Sequence, residues 1–348
     1  MSDETVAATA ERIAEHARVH GLDAVSIRLH GGEPLLAGPE RLGRIVGALR
    51  ARLSGLTEVA VTVQTNGVLL DEAMAAFLVD EDIGVGVSLD GDRYANDLHR
   101  TYLNGRSSYD EVVAGIAMMR RPEFRSHFLG LLCTVQLAAD PVRVWDSLLD
   151  LEVPTLDFLL PHGTWERPPP GLEPGDARTP YADWLIPLFD RWFDAPARPV
   201  AVRTFESLLH LSLGGRASHE SFGLGPIALV VVETDGSYEQ VDSMKAVDEG
   251  AAATGRGVFT DPLDALFALP TVTQRQLGLD ALGERCRACE IVSTCGGGLF
   301  PHRYRPGTGF TNPSVYCADL YALITHIQRR LEEALERRGT SLAAIRAS

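Results

Sequence analysis

Residues 24–34 read AVSIRLHGGEP, a β-rich run followed by His30-Gly31-Gly32-Glu33-Pro34. A run of this kind that stops at two glycines and a proline predicts a strand running into a loop. The pattern recurs further along. More β-rich runs at 58–64 (EVAVTVQ), 83–89 (IGVGVSL), 128–136 (FLGLLCTVQ) and 155–160 (TLDFLL) are separated by amphipathic segments at 39–53, 71–80, 108–120 and 141–149. Strands alternating with helices imply a parallel sheet or barrel, because parallel neighbours need a crossover of helical length. The predicted fold class is α/β, with functional residues just after the strands. Upstream, residues 3–20 space their apolar side chains three and four apart, follow Ser2 and stop at Gly21, which predicts a capped helix.

Three strand ends carry small or polar residues. In the first, Gly31 and Gly32 expose backbone groups and Glu33 can accept from a cationic amine; the simpler reading is a turn. Next come Gln64-Thr65-Asn66-Gly67 and Ser88-Leu89-Asp90-Gly91. Each can be a helix cap or an Asx-turn, but three such ends in register form a site.

The balance of 47 acidic against 32 basic residues gives a net charge of -15. That argues against a nucleic-acid binder, whose affinity rests on concentrated Lys and Arg, and suits a basic or neutral peptide better. No stretch approaches the roughly 20 apolar residues that span a bilayer, and residues 1–20 are acidic and amphipathic rather than a signal peptide. A cytoplasmic protein without a membrane partner is expected. Residues 161–180 hold six prolines and predict an irregular excursion. A helix is expected at about 181–193, two strands around Asp235-Gly236 within 227–241, and an exposed helix at 317–338.

Four of the five cysteines fall in the last 63 residues, as Cys286-x2-Cys289-x5-Cys295 and then Cys317. Clustered thiols with many glycines around them point to a metal cage, since glycine lets the backbone bend tightly and offer N–H groups to sulfur. By spacing alone a structural zinc and an iron–sulfur cluster both fit, and free buried thiols are the third reading. Cys133, inside the run 128–136, reads as a small buried hydrophobe.

Gly-Gly-Glu-Pro after one strand, Thr-Asn-Gly after the next, Ser-Leu-Asp-Gly after the third and the late cysteines together resemble radical S-adenosylmethionine (SAM) enzymes with a SPASM domain. The likeness extends over nearly all of the sequence. It is nearest to the FxsB-type, cyclophane-forming peptide-modifying branch, through Pro161-His162-Gly163-Thr164-Trp165, Val232-Glu233-Thr234-Asp235-Gly236 and Cys295-Gly296-Gly297-Gly298-Leu299. The resemblance implies a partial (β/α)6 barrel missing its first strand and a small C-terminal iron–sulfur domain. It implies that Gly31, Gly32 and Glu33 hold the methionine amine of SAM, that Asn66 lies at the same edge, and that Ser88 and Asp90 lie near the ribose. Asp242 matches a proton acceptor of sulfatase-maturating relatives, and a solvated turn residue is its alternative. His162, His302 and Arg303 are further pocket candidates.

The resemblance also implies two auxiliary clusters, and one is absent. Val241 stands where the family's Gly-x4-Cys ends, and Leu299 where another cysteine falls. Cys286, Cys289, Cys295 and Cys317 are the set implied for the other, a single [4Fe–4S] cluster, which moves iron–sulfur ahead of zinc. The SAM-cleaving Cys-x3-Cys-x2-Cys is absent too. Met1-Ser2 resembles an internal Met-Ser of the family, so the expectation is an N-terminally truncated maturase, inactive as written. It would act on a ribosomally made precursor peptide, by C–H activation at a residue's side group followed by cross-linking, with an electron donor. A silent peptide-binding partner and a zinc-stabilised protein are the alternatives. The expected division is a barrel over 1–195, a connecting helical segment over 196–225, an auxiliary-cluster domain over 226–338 and a tail over 339–348.

Overall fold

A computed structural model describes residues 1–346 except 174, 218–219 and 227–228. The fold opens with α1 (Asp3–His20) and then alternates through β1 (Ala24–Leu29), α2 (Gly38–Leu53), β2 (Glu58–Thr65), α3 (Glu72–Asp80) and β3 (Ile83–Ser88). It continues through α4 (Arg93–Asp97), α5 (Tyr109–Met119), β4 (Phe128–Thr134), α6 (Pro141–Leu149), β5 (Thr155–Leu159), α7 (Pro180–Asp194), β6 (Ala201–Val202) and α8 (Arg203–Ser212). The six strands form one parallel sheet in the order β1-β2-β3-β4-β5-β6. The expected capping of α1 is present. Ser2 Oγ accepts from Thr5 N–H, and Gly21 ends the helix at a φ of 59°.

The two faces of the sheet differ in chemistry because side chains alternate along a strand. Val61, Val63, Val85, Val87, Leu131, Cys133, Leu156 and Phe158 point to one face and are buried beneath the helices. The other face carries Arg28, Thr62, Gln64, Gly86, Gly130, Thr155 and Asp157, which line a cavity. Apolar residues on one parity therefore build the core, while the other parity leaves a polar wall.

Several elements differ from expectation. Residues 196–225 contribute a sixth strand, β6, before the helix α8. In the C-terminal part, the hairpin β7 (Val231–Val232) and β8 (Ser237–Glu239) gains a third antiparallel strand, β9 (Ala253–Gly257). The first residues of that expected hairpin, 227–228, lie outside the described residues. Short helices α9 (Pro270–Gln276), α10 (Glu284–Arg287) and α11 (Val292–Cys295) lead to α12 (Cys317–Glu336), with α13 (Leu342–Arg346) behind it. The expectation of an exposed α12 is wrong. Leu320, Leu323, Ile324, Ile327 and Leu331 recur at helical spacing and are buried in the main core.

The C-terminal part is tied to the sheet at defined points. Tyr316 Oη donates to Pro161 O (2.6 Å) and Trp165 Nε1 to Pro313 O (2.8 Å), which anchors the loop after β5. Asp319 on α12 accepts from the N–H groups of Tyr181 and Ala182, capping α7 from outside its own segment. On the other flank, α1 packs its first turns beside β8 and β9. There Arg12 Nε donates to Val258 O (2.9 Å).

Candidate functional site

The Gly-Gly-Glu loop follows β1, where Gly31 has a φ of 139° that only glycine adopts readily. Glu33 does not hang free. Its Oε1 accepts from Leu35 N–H (3.0 Å) and Thr65 Oγ1 (2.7 Å), and its Oε2 from Asn66 N–H (2.8 Å), so the first two strand ends are laced together. A carboxylate has about four acceptor positions, so one remains for a ligand amine. Asn66 forms an Asx-turn, its Oδ1 accepting from Val68 N–H. Ser88 Oγ accepts from Gln64 Nε2 (2.9 Å), joining β3 to β2.

Asp90 is buried, and both of its oxygens are engaged. Arg100 reaches them with Nε (2.7 Å) and Nη2 (3.1 Å), and Thr134 N–H adds a third bond at 2.8 Å. The residue binds the β3 loop to the end of β4. Its partners, ten and forty-four positions away, are not signalled by local sequence.

Asp242 comes to the same mouth from the C-terminal part. Its Oδ2 lies 3.4 Å from His30 Nδ1, beside the Gly-Gly-Glu loop, and its Oδ1 accepts from Lys245 Nζ (3.1 Å). Lys245 also meets Glu239 (2.7 Å) and Glu233 (3.0 Å). These three carboxylates, Glu239 foremost, raise the lysine above its ordinary range. Neither His30 nor Lys245 stands out as a site residue in the sequence. His30 precedes the glycines directly, which is the available signal for it.

Deeper in the cavity, Arg203 is held by Asp157 through Nε (2.7 Å). Arg28 has no carboxylate within ion-pair distance among the described residues. Burial and the facing Arg203 both lower its pKa. A cation without a partner on a polar wall is suited to an anionic ligand group.

The four late thiols are half-buried and near enough to influence one another's charge. Burial raises Cys286, with Cys317 and Cys289 adding to it. Burial pushes Cys295 up to about 12, against a hydrogen bond donated by Gly297 N–H. Gly296, Gly297 and Gly298 all have positive φ values (60°, 80° and 69°), and a Cβ on Gly296 would lie 1.7 Å from Gly223 O. Arg303, buried behind this turn, donates to the carbonyls of Gly296 (2.7 Å) and Gly298 (2.8 Å). No three of these described thiols stand within 4.8 Å of one another. Four sulfurs about 2.3 Å from one tetrahedral zinc would be separated by about 3.8 Å. Cys133, by contrast, is fully buried in β4 and its thiol is raised well above the ordinary value by burial.

His302 is buried between His162 and Tyr316, with ring centroids 5.8 and 5.0 Å away. Burial, then the neighbouring His162 and Arg303, lowers its pKa to about 3.

Residues 2–136, which hold the first strands of the parallel sheet and the Gly-Gly-Glu loop, match the Radical SAM superfamily profile. Over a longer stretch the chain is similar to anaerobic sulfatase-maturating enzymes. The cysteine-type enzyme of Clostridium perfringens (strain 13 / Type A) is 27% identical over 253 residues, covering 70% of this chain and 65% of that protein. The serine-type enzyme of Klebsiella aerogenes is 24% identical over 290 residues, 81% of this chain and 68% of that protein. The match thus spans just under two thirds of the Clostridium perfringens relative. A solved structure, native anSMEcpe with bound AdoMet and Kp18Cys peptide, superposes with a TM-score of 0.83 at 23% identity, covering 97% of this chain and 91% of that one. The likeness shows a shared α/β fold. The narrower FxsB-type resemblance gains no support from these relatives. Among the described residues, no helix is long and apolar enough to cross a membrane.

Proposed function

We propose that this protein is the peptide- and SAM-binding body of a cytoplasmic radical SAM maturase that oxidises a peptide side chain. The observation that carries the reading is the convergence of Glu33, Asn66, Ser88 and Asp242 on one mouth, above a polar sheet face. Gly31, Gly32 and Glu33 would hold the amino end of SAM, with Asn66 and Ser88 flanking it. Asp90 would act one step back, by fixing the β3 loop. Asp242, oriented by Lys245 and next to His30, would accept the proton released when a substrate side chain is oxidised. The relatives' names and the AdoMet- and peptide-bound neighbour supply the ligand classes: SAM and a precursor peptide.

Cys286, Cys289, Cys295 and Cys317 would hold one [4Fe–4S] cluster. Gly297 N–H is already donated to a sulfur, and the buried Arg303 cation offsets thiolate charge, both of which suit a sulfur-rich cluster. Such a cluster supplies one-electron chemistry when bound. The SAM-cleaving cluster is a different matter. The one thiol outside the late four, Cys133, is buried in β4, so the residues present do not fit that group. The alternative reading is a peptide-recognition partner that works beside an active enzyme. The division at 1–195, 196–225 and 226–338 belongs to both readings, and cross-linking is one oxidation outcome within the first.

Anaerobic loading tests the reading. The wild-type protein should turn brown and hold about four irons, the usual stoichiometry of a thiolate-held cubane. The quadruple Cys→Ala variant should hold none, and a fluorescent cysteine- or serine-containing peptide should bind the loaded wild type. Iron retained by the quadruple variant would sink the site, and absent peptide binding would sink both functional readings.

A further inference from the structure

Away from that mouth, His16 and His20 lie one turn apart on the same face of α1, and Asp264 meets them from residues 263–268. Asp264 Oδ1 is 2.5 Å from His16 Nδ1 and 3.0 Å from His20 Nε2, while Oδ2 is also 3.0 Å from His20 Nε2. One donor atom from each residue falls within 4.8 Å of the other two. Two imidazoles and a carboxylate form a donor set suited to borderline divalent ions such as Zn2+, Co2+ and Ni2+. Ligand atoms about 2.0–2.2 Å from one tetrahedral ion stand about 3.3–3.6 Å apart, so the Asp264–His separations of 2.5 and 3.0 Å need to open only slightly to admit one.

The surroundings fit a site filled from solution. The His16, His20 and Asp264 side chains are 22%, 44% and 39% exposed, so an ion can reach them without unfolding the protein. The ring of Phe267 stacks on His16 at 6.0 Å and limits its movement. Residues 16 and 264 are 248 positions apart, so an ion here would join the first helix to the C-terminal part. We propose that His16, His20 and Asp264 form a divalent transition-metal site that clamps α1 to residues 263–268, separate from the cysteine site.

Titration of the full-length protein with Ni2+, after its cysteines have been loaded with iron, tests this. Calorimetry should find one Ni2+ per molecule with the iron content unchanged. His20→Gln and Asp264→Asn should each weaken it at least about tenfold, a loss seen even for outer partners of metal ligands. Ni2+ should also raise the melting temperature of the wild type and not of the His20→Gln/Asp264→Asn double variant, since only the folded protein holds the site. Both substituted residues are more than a third exposed, so the metal-free melting temperature should change little. Superimposable titrations of wild type and double variant, or no Ni2+ uptake by the wild type, would overturn the proposal.

Discussion

At the scale of single residues, two buried side chains behind the mouth define much of the chemistry. Arg303 satisfies carbonyls of three successive glycines in left-handed conformations, which otherwise face a protein interior. Arg303→Met leaves those carbonyls without donors. It is expected to cost about 1.5–3 kcal/mol, the scale of a hydrogen bond to a charged group, in denaturant unfolding of the metal-free protein. His302 gives a pH signature. Its pKa is about 3 when folded, against an ordinary value of 6.5. Between these values the unfolded state binds a proton that the folded state refuses, so stability falls as pH drops through that window. The slope from this one group reaches at most about 1.4 kcal/mol per pH unit. Comparing wild type with His302→Phe from pH 7 to pH 4 isolates it. Equal pH dependence in the two proteins would show that His302 is protonated when folded.

Among the elements, α12 does the most to join the two parts of the molecule. It begins at Cys317, buries one apolar face, and caps α7 through Asp319. Ile324 is fully buried, so Ile324→Ala should lower stability by about 2–5 kcal/mol, measured by urea unfolding. A cost under about 0.5 kcal/mol, the scale of an ordinary surface substitution, would mean that the helix is not seated as described. Its burial is hard to read from sequence because Arg329, Arg330, Glu332 and Glu333 dominate its second half and hide the apolar stripe between them. The alternating elements are legible for the opposite reason. Their periods of about 2 and 3.6 are bounded by Gly, Pro and Asx residues that act locally. β6 escapes the sequence because two residues carry no period. Asn66 and Asp90 are legible as polar strand-end residues, while the distant partners of Asp90, Arg100 and Thr134, are supplied by the fold. The cysteine pattern is visible in spacing, while Asp264 meeting His16 and His20 is not.

On the scale of the whole molecule, α1 joins the sheet's helices to the small antiparallel unit, while α12 packs on α7 and α8 in the main core. The polar sheet face lies opposite the helical layer and lines the cavity. The sheet ends differently on its two sides. At one side β6 is only two residues long, a blunt end that offers little to pair with. At the other, β1 is six residues long and, among the described residues, hydrogen-bonded in the sheet to β2 alone, with alternate residues exposed. Unpaired N–H and C=O groups along such an edge can recruit an extended segment by strand addition. The practical consequence is colloidal. As described, that edge offers a route to edge-to-edge association as concentration rises, against which Arg28 within the strand, His30 just after it and the net charge of -15 act.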